Sequence, residues 1–177
     1  MGGSGRPPSP PRLPADVKSA VRRPNRQSPR LALVIATVFG AGYSPIAPGT
    51  AGSAVALLIL WLVPFSQAGL VVFFVAVTLV GTWAAHVAEA ALGDKDPGAI
   101  VIDEVAGMTL SVLTLPLTPA VLLTGFVLFR IFDIVKPYPA GRLQALTGGV
   151  GVMIDDIIAG LYALLVLLAM RAVLAWP

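Results

Sequence analysis

The apolar run from Ala120 to Val135 is fit to enter a membrane, yet it closes on Phe129-Arg130-Ile131-Phe132-Asp133-Ile134-Val135-Lys136-Pro137-Tyr138-Pro139. Arg130, Asp133 and Lys136 recur at every third position, which on a helix sets a carboxylate between two cations along one face. Charge at the margin of an apolar layer is costly and points to function. A purely structural account also exists, an Arg130–Asp133 bridge with a snorkelling Lys136. The rest of the chain has to decide between the two.

Composition places the run in a membrane protein: 56% of the 177 residues are hydrophobic and only 12% charged, far from the soluble average. With no cysteine, thiolate catalysis, disulfides and Cys-ligated zinc are all excluded. The net charge of +3 hides an asymmetry. Arg6, Arg12, Lys18, Arg22, Arg23, Arg26 and Arg30 precede the first apolar run against Asp16 alone, and the remainder is net acidic. Residues 1–30, rich in Pro, Gly and Ser, are therefore expected to be a disordered basic tail lying on anionic lipid, and residues 31–177 the membrane-embedded domain. Nucleic-acid binding is not expected, because no aromatic or folded module accompanies the tail. Nor does the tail read as a signal peptide, since the apolar run after it lacks a small-residue cleavage pattern.

Leu31 to Phe39 is too short to cross a bilayer and is expected to be interfacial. The Gly/Pro-rich stretch Gly40 to Ser53 follows as a re-entrant or interfacial loop, with Thr50 or Ser53 capping a helix that runs to Val63. Small residues around Gly49, Thr50 and Ser53 leave amides exposed ahead of that helix, a ready anion site. Ala68 to Ala91 is a clear span, and near its far end His86 and Glu89 share a face, read as a capping or supporting pair. Direct metal ligation by Glu89 stays open. After the turn at Gly93 to Gly98, Ala99 to about Leu117 is expected to span again, opening on Asp103-Glu104. Thr118-Pro119 marks a hairpin into the Ala120 run. Gly148 and Gly149 then lead into a last span to about Leu174 that carries Asp155-Asp156. Adjacent helical positions differ by about 100°, so one acid of each pair can face a site while its neighbour supports it. Which one does so is not legible here.

The fold class expected is an all-α, polytopic membrane bundle with about four to five spans. Following the crossings puts every polar motif on one face, together with the tail, Lys95, Arg130, Lys136 and Arg142, whereas the other face carries only Arg171. By the positive-inside rule that face is cytoplasmic.

Carboxylates gathered at such a face repel unless a cation balances them. Oxygen ligands with one His and no Cys favour Mg²⁺ over zinc. Held beside Arg130, Lys136 and a glycine-rich amide loop, such an ion completes the parts needed to clamp a phosphate and activate water.

The chain resembles the bacterial phosphatidylglycerophosphatase A family. The likeness runs from about Ala36 to the C-terminal helix. It rests on Phe39-Gly40 through Pro45, Pro48-Gly49-Thr50 and Gly52-Ser53, then on Ile100-Val101, Asp103-Glu104 and Gly107. Phe129-Arg130, Phe132-Asp133, Lys136-Pro137 and Pro139 continue it, and Gly148-Gly149, Gly151, Met153, Asp155-Asp156, Ala159 and Gly160 end it. The basic tail falls outside the likeness. The resemblance implies Mg²⁺-dependent hydrolysis of phosphatidylglycerophosphate to phosphatidylglycerol and phosphate at the bacterial inner membrane. It implies Asp103, Asp133 and Asp156 as metal ligands and Glu104 or Asp155 as ligand or general base, with Arg130 and Lys136 holding the phosphate. From another class, the runner-up is a small ion or metal transporter whose path the same acids would line; acids clustered at helix ends rather than at the bilayer midplane count against it.

Overall fold

The computed structural model describes residues 27–93, 97–138 and 148–174. Among them six α-helices and one 3-10 turn follow in order: α1 Gln27–Ala36, the turn Ala41–Tyr43, α2 Pro48–Leu62, α3 Gln67–Leu92, α4 Ile102–Ser111, α5 Pro119–Val135 and α6 Gly149–Leu174. The described residues form no strand, so the all-α class expected from the sequence holds. The tail through Arg26, the turn residues Asp94 to Asp96, Pro139 to Thr147 and the last three residues lie outside the described residues.

Helix starts follow local chemistry. Ser66 accepts from the Gly69 amide at 3.1 Å to open α3, and Thr118 accepts from the Val121 amide at 3.3 Å to open α5, with Pro119 in its first turn. α2 departs from expectation. It begins at Pro48, ahead of both proposed caps, behind Ala47 in the left-handed region at φ 51 and with no side-chain cap. Pro48 brings a preset φ and no amide to satisfy, so the helix starts there. Ser53 is consequently inside the helix and turns its hydroxyl back to the Gly49 carbonyl at 2.8 Å.

Lengths sort the helices against a bilayer. α3 and α6, of 26 residues each, are long and apolar enough to cross a membrane. The segment expected to span from Ala99 to Leu117 does not do so as one helix, because α4 has 10 residues, about 15 Å. The cause is Pro116, whose ring cannot follow the carbonyl of residue 112 in a helix and whose presence restricts Leu115. The chain instead passes through turns, Leu113 amide to Leu110 carbonyl and Leu115 amide to Val112 carbonyl, with the Gln67 side-chain amide donating to the Leu113 carbonyl.

Short α4 is the centre of the bundle. It packs against α2, α3, α5 and α6, and Ile102, Asp103, Val105 to Thr109 and Ser111 are all buried. Two glycines allow the closest of these approaches. A Cβ on Gly160 would collide with the Gly107 carbonyl, and one on Gly107 would lie 2.6 Å from the Asp156 carbonyl and 2.5 Å from Phe129 Cε2. α3 and α6 run antiparallel, Gly149 lying against the Thr82 carbonyl and Gly81 against Met153. The N-terminal ends of α2 and α4, the second turn of α6 and the C-terminal end of α5 therefore meet at one end of the bundle. The Val101 amide, bonded to the Ala36 carbonyl at 2.8 Å, ties α1 to that end. Gly160→Ala should lower stability by about 1–3 kcal/mol through overpacking. Val173→Ala on the exposed end of the same helix, 81% accessible, should change it by less than about 0.5 kcal/mol. Thermal unfolding in detergent, followed by circular dichroism, measures both.

Candidate active site

A cavity of about 310 Å³ opens where those helix ends meet, lined by Ala47, Pro48 and Gly49 of α2 and its approach, Gly98 and Ile100, Asp103 and Glu104 of α4, Arg130, Asp133 and Lys136 of α5, and Asp155 and Asp156 of α6. Asp103 and Glu104 stand in the first turn of α4, where the helix dipole favours anions. Asp155 and Asp156 do not share that explanation. α6 starts at Gly149 and both acids are buried in its second turn.

Three carboxylates converge: Asp103, Glu104 and Asp156 each present an oxygen within 4.8 Å of the others. Asp133 lies within hydrogen-bonding reach of Asp156, while its Oδ2 holds Arg130 Nη1 at 2.9 Å. The same Nη1 donates to Ser53 Oγ at 3.4 Å. Gly49 admits this arrangement, since any Cβ there would strike Glu104 Oε1 and come within 3.1 Å of Arg130 Nη1. Asp155, the neighbour of Asp156, also lines the cavity but stays out of the cluster and pairs with Lys136 Nζ. Burial works against the charge of Lys136, but Asp155 beside it, with Asp133 and Asp156 adding to the field, raises its pKa above the usual lysine value. It stays cationic at neutral pH.

Magnitudes show what the arrangement lacks. Two unit charges 4.8 Å apart repel by about 3.5 kcal/mol at an effective dielectric near 20, and three such pairs approach about 10 kcal/mol, the scale of a whole domain's stability. Protons or a cation must remove that repulsion. Asp103 Oδ1, Glu104 Oε2 and Asp156 Oδ2 are buried with no hydrogen-bond partner, and so is Arg130 Nε. Unpartnered oxygens from three directions are the donor set of a hard divalent cation, and a free guanidinium edge beside them suits an anion. The residues present thus fit Mg²⁺.

Asp103, Glu104, Asp133, Asp155 and Asp156 all line this cavity, as do Arg130, Lys136 and Gly49. Thr50 and Ser53 do not; Thr50 is half-buried on α2, and Ser53 is fully buried behind Arg130. His86 and Glu89 stand apart from it. His86 lies against Gly148, and the Glu89 carbonyl receives the Gly93 amide that ends α3. Gly98 and Ile100 were not anticipated. The signal available for them is their place between the Pro97 turn and Asp103, in a segment held by the Val101–Ala36 bond.

Comparison with known proteins gives the family. A family model described as Phosphatidylglycerophosphatase A matches residues 34–171. A putative phosphatidylinositol-3-phosphatase of Bacteroides thetaiotaomicron is 40% identical over 81% of this chain and 96% of its own. Phosphatidylglycerophosphatase A of Escherichia coli is 38% identical over 72% of this chain and 76% of its own, and that of Haemophilus influenzae 36% identical over 78% and 87%. No solved structure gives a significant match. With the match extending from α1 through nearly all of α6 and so enclosing every residue of the cavity, the chain belongs to the phosphatidylglycerophosphatase A family.

Proposed function

We propose that the protein is a membrane-embedded lipid phosphatase that hydrolyses phosphatidylglycerophosphate to phosphatidylglycerol and phosphate with Mg²⁺, in a multi-pass fold of four to five crossings whose site faces the cytoplasm. The observation that carries the reading is the group of unpartnered oxygens on Asp103, Glu104 and Asp156 beside the unpartnered Arg130 Nε. Family membership supports the substrate, and the two long apolar helices support the membrane setting. The clustering of Lys and Arg on the site's side supports the orientation.

Asp103, Glu104 and Asp156 would hold the ion, with Asp133 beside Asp156 completing the acidic set. When bound, Mg²⁺ supplies positive charge against the carboxylates and the phosphoryl oxygens and lowers the pKa of water. Arg130 is fixed by Asp133 and Ser53 through Nη1, so its free edge receives the phosphoryl group without a search for geometry. Lys136, placed by Asp155, offsets charge that develops on that group as the ester bond breaks. The N-terminal amides of α2 at Gly49 add a dipole of the same sign. Glu104 lies against Gly49 and takes the proton of the attacking water on a carboxylate oxygen. A second lipid deserves the same assay, because one relative is named for phosphatidylinositol 3-phosphate.

Phosphate release from each lipid by the purified protein, titrated with Mg²⁺, tests the proposal. No release from either would sink it. Asp103→Asn and Asp156→Asn should each lower turnover per folded molecule about 100-fold or more, with double variants little worse than singles because the carboxylates act as a unit. Mg²⁺ binding followed by calorimetry should weaken in the same variants. Asp133→Asn should lower turnover too, and should also raise KM because Arg130 loses its partner.

The two neighbouring acids of α6 should behave differently. Asp155→Asn should resemble Lys136→Ala, each lowering kcat/KM by about tenfold while leaving Mg²⁺ affinity near that of the wild type. A loss of Mg²⁺ binding in Asp155→Asn equal to that in Asp156→Asn would refute the division of labour.

A further inference from the structure

The polar cavity has apolar lips. On one side the chain entering α2 exposes Phe39 at 87%, Tyr43 at 62% and Ile46 at 82%, and Ile46 directly precedes Ala47, Pro48 and Gly49 of the cavity wall. On the other, Ile134 at 71% and Val135 at 68% lie between the lining residues Asp133 and Lys136, with Tyr138 at 74% just beyond. Neither lip is loosely held. Amides of Phe39, Gly40, Ala41, Gly42, Tyr43 and Ser44 all bond within the first, at 2.8 to 3.1 Å. Tyr162 donates its hydroxyl to the Tyr138 carbonyl at 2.8 Å to pin the second.

Backbone strain is confined to the same two places. Among the described residues, the non-glycine positions with positive φ are Val38, Phe39, Ala47 and Lys136. A β-branched or bulky residue in that region costs of order 1 kcal/mol and persists where the surroundings enforce it. At the first lip Phe39 combines positive φ with exposure, and at the second the positive φ of Lys136 ends α5 directly after the exposed Ile134 and Val135; apolar surface on both sides of a cavity built from charge offers nothing to a ligand that is polar throughout.

We infer that the two lips are the seat of the acylated glycerol of the substrate lipid. An amphiphile with its phosphate in the cavity must lay its apolar part across the rim, and the two lips offer that part apolar surface on both sides of the pocket. The inference rests on the lipid phosphatase reading and adds that affinity for the diacyl portion comes from Phe39, Tyr43, Ile46, Ile134, Val135 and Tyr138. The lips set how deep the headgroup sits and take no part in the chemistry.

The test compares two substrates that share a headgroup: diacyl phosphatidylglycerophosphate in phosphatidylcholine vesicles, and the deacylated glycerophosphoglycerophosphate in solution. In the full-length protein, Ile46→Asp and Val135→Asp should each lower kcat/KM for the vesicle substrate at least tenfold and change that for the soluble one less than twofold. An equal fall on both, or no fall on either, overturns the inference. Wild-type protein that hydrolyses neither substrate overturns the phosphatase reading itself, and this inference with it. A second measurement does not depend on turnover. The chain has no cysteine, so a nitroxide on Ile46→Cys or Val135→Cys reports one site in the same vesicles. Stronger relaxation by oxygen than by a water-soluble nickel chelate is expected. The reverse order places the lips in water, and protection from both reagents places them against protein; either result overturns the proposal.

Discussion

Gathering carboxylates inside an apolar bundle is the constraint on which the rest of this structure depends. Asp103, Glu104 and Asp156 hold oxygens within 4.8 Å of one another, and their mutual repulsion is comparable to the stability of a domain. Such a cluster is tolerable only where protons or a cation remove the repulsion, and helix ends that supply a complementary field ease it further. The bundle supplies that field. α2 and α4 point their N-termini at the cavity, and α5 delivers Arg130 from its C-terminal half and Lys136 from its C-cap. The shortness of α4 belongs to the same solution. Only 10 residues long, it brings two acids to the cavity in its first turn and is buried almost throughout by the helices around it.

Close packing is what turns these ends into a site. Gly107 and Gly160 bring α4 and α6 into backbone contact, and so bring Asp103 and Asp156 together from separate helices. Gly49 does the equivalent for α2, Glu104 and Arg130. In each case the missing Cβ matters more than backbone freedom, because the glycine sits in a regular helix and the space it vacates is taken by its neighbours: facing backbone and the Phe129 ring at Gly107 and Gly160, and the Glu104 and Arg130 side chains at Gly49. Arg130 then joins two elements through one nitrogen, touching Asp133 on its own helix and Ser53 on α2, and lines the cavity together with the carboxylates of α4 and α6. Ser53 thus acts through Arg130 rather than on a ligand.

The sequence alone determined that the chain is helical and apolar, that its acids cluster in three places, and that the residues around Gly49, Asp103, Arg130 and Asp155 belong together. Hydropathy and spacing are local quantities, and the charged residues are so few that each stands out against the apolar runs. The hairpin at Thr118-Pro119 was legible for the same reason, and there Thr118 caps α5. The start of α2 at Pro48 and the end of α4 at Ser111 were not. There, proline geometry and tertiary contacts outweighed the hydrophobic pattern.

Only the tertiary structure decided which acid of each pair does what. Asp155 and Asp156 are chemically alike and adjacent, and a rotation of about 100° separates them. Packing of α6 on α4 turns Asp156 toward Asp103 and Glu104, and packing on α5 turns Asp155 toward Lys136. The α4 pair behaves otherwise: both Asp103 and Glu104 join the close carboxylate cluster from the first turn of their helix, whereas of the α6 pair only Asp156 does, although all four line the cavity. Sequence spacing fixes angles about a helix axis, whereas the rotation of that axis against its neighbours comes from the glycines and small side chains it meets. Those contacts exist only once the helices are assembled.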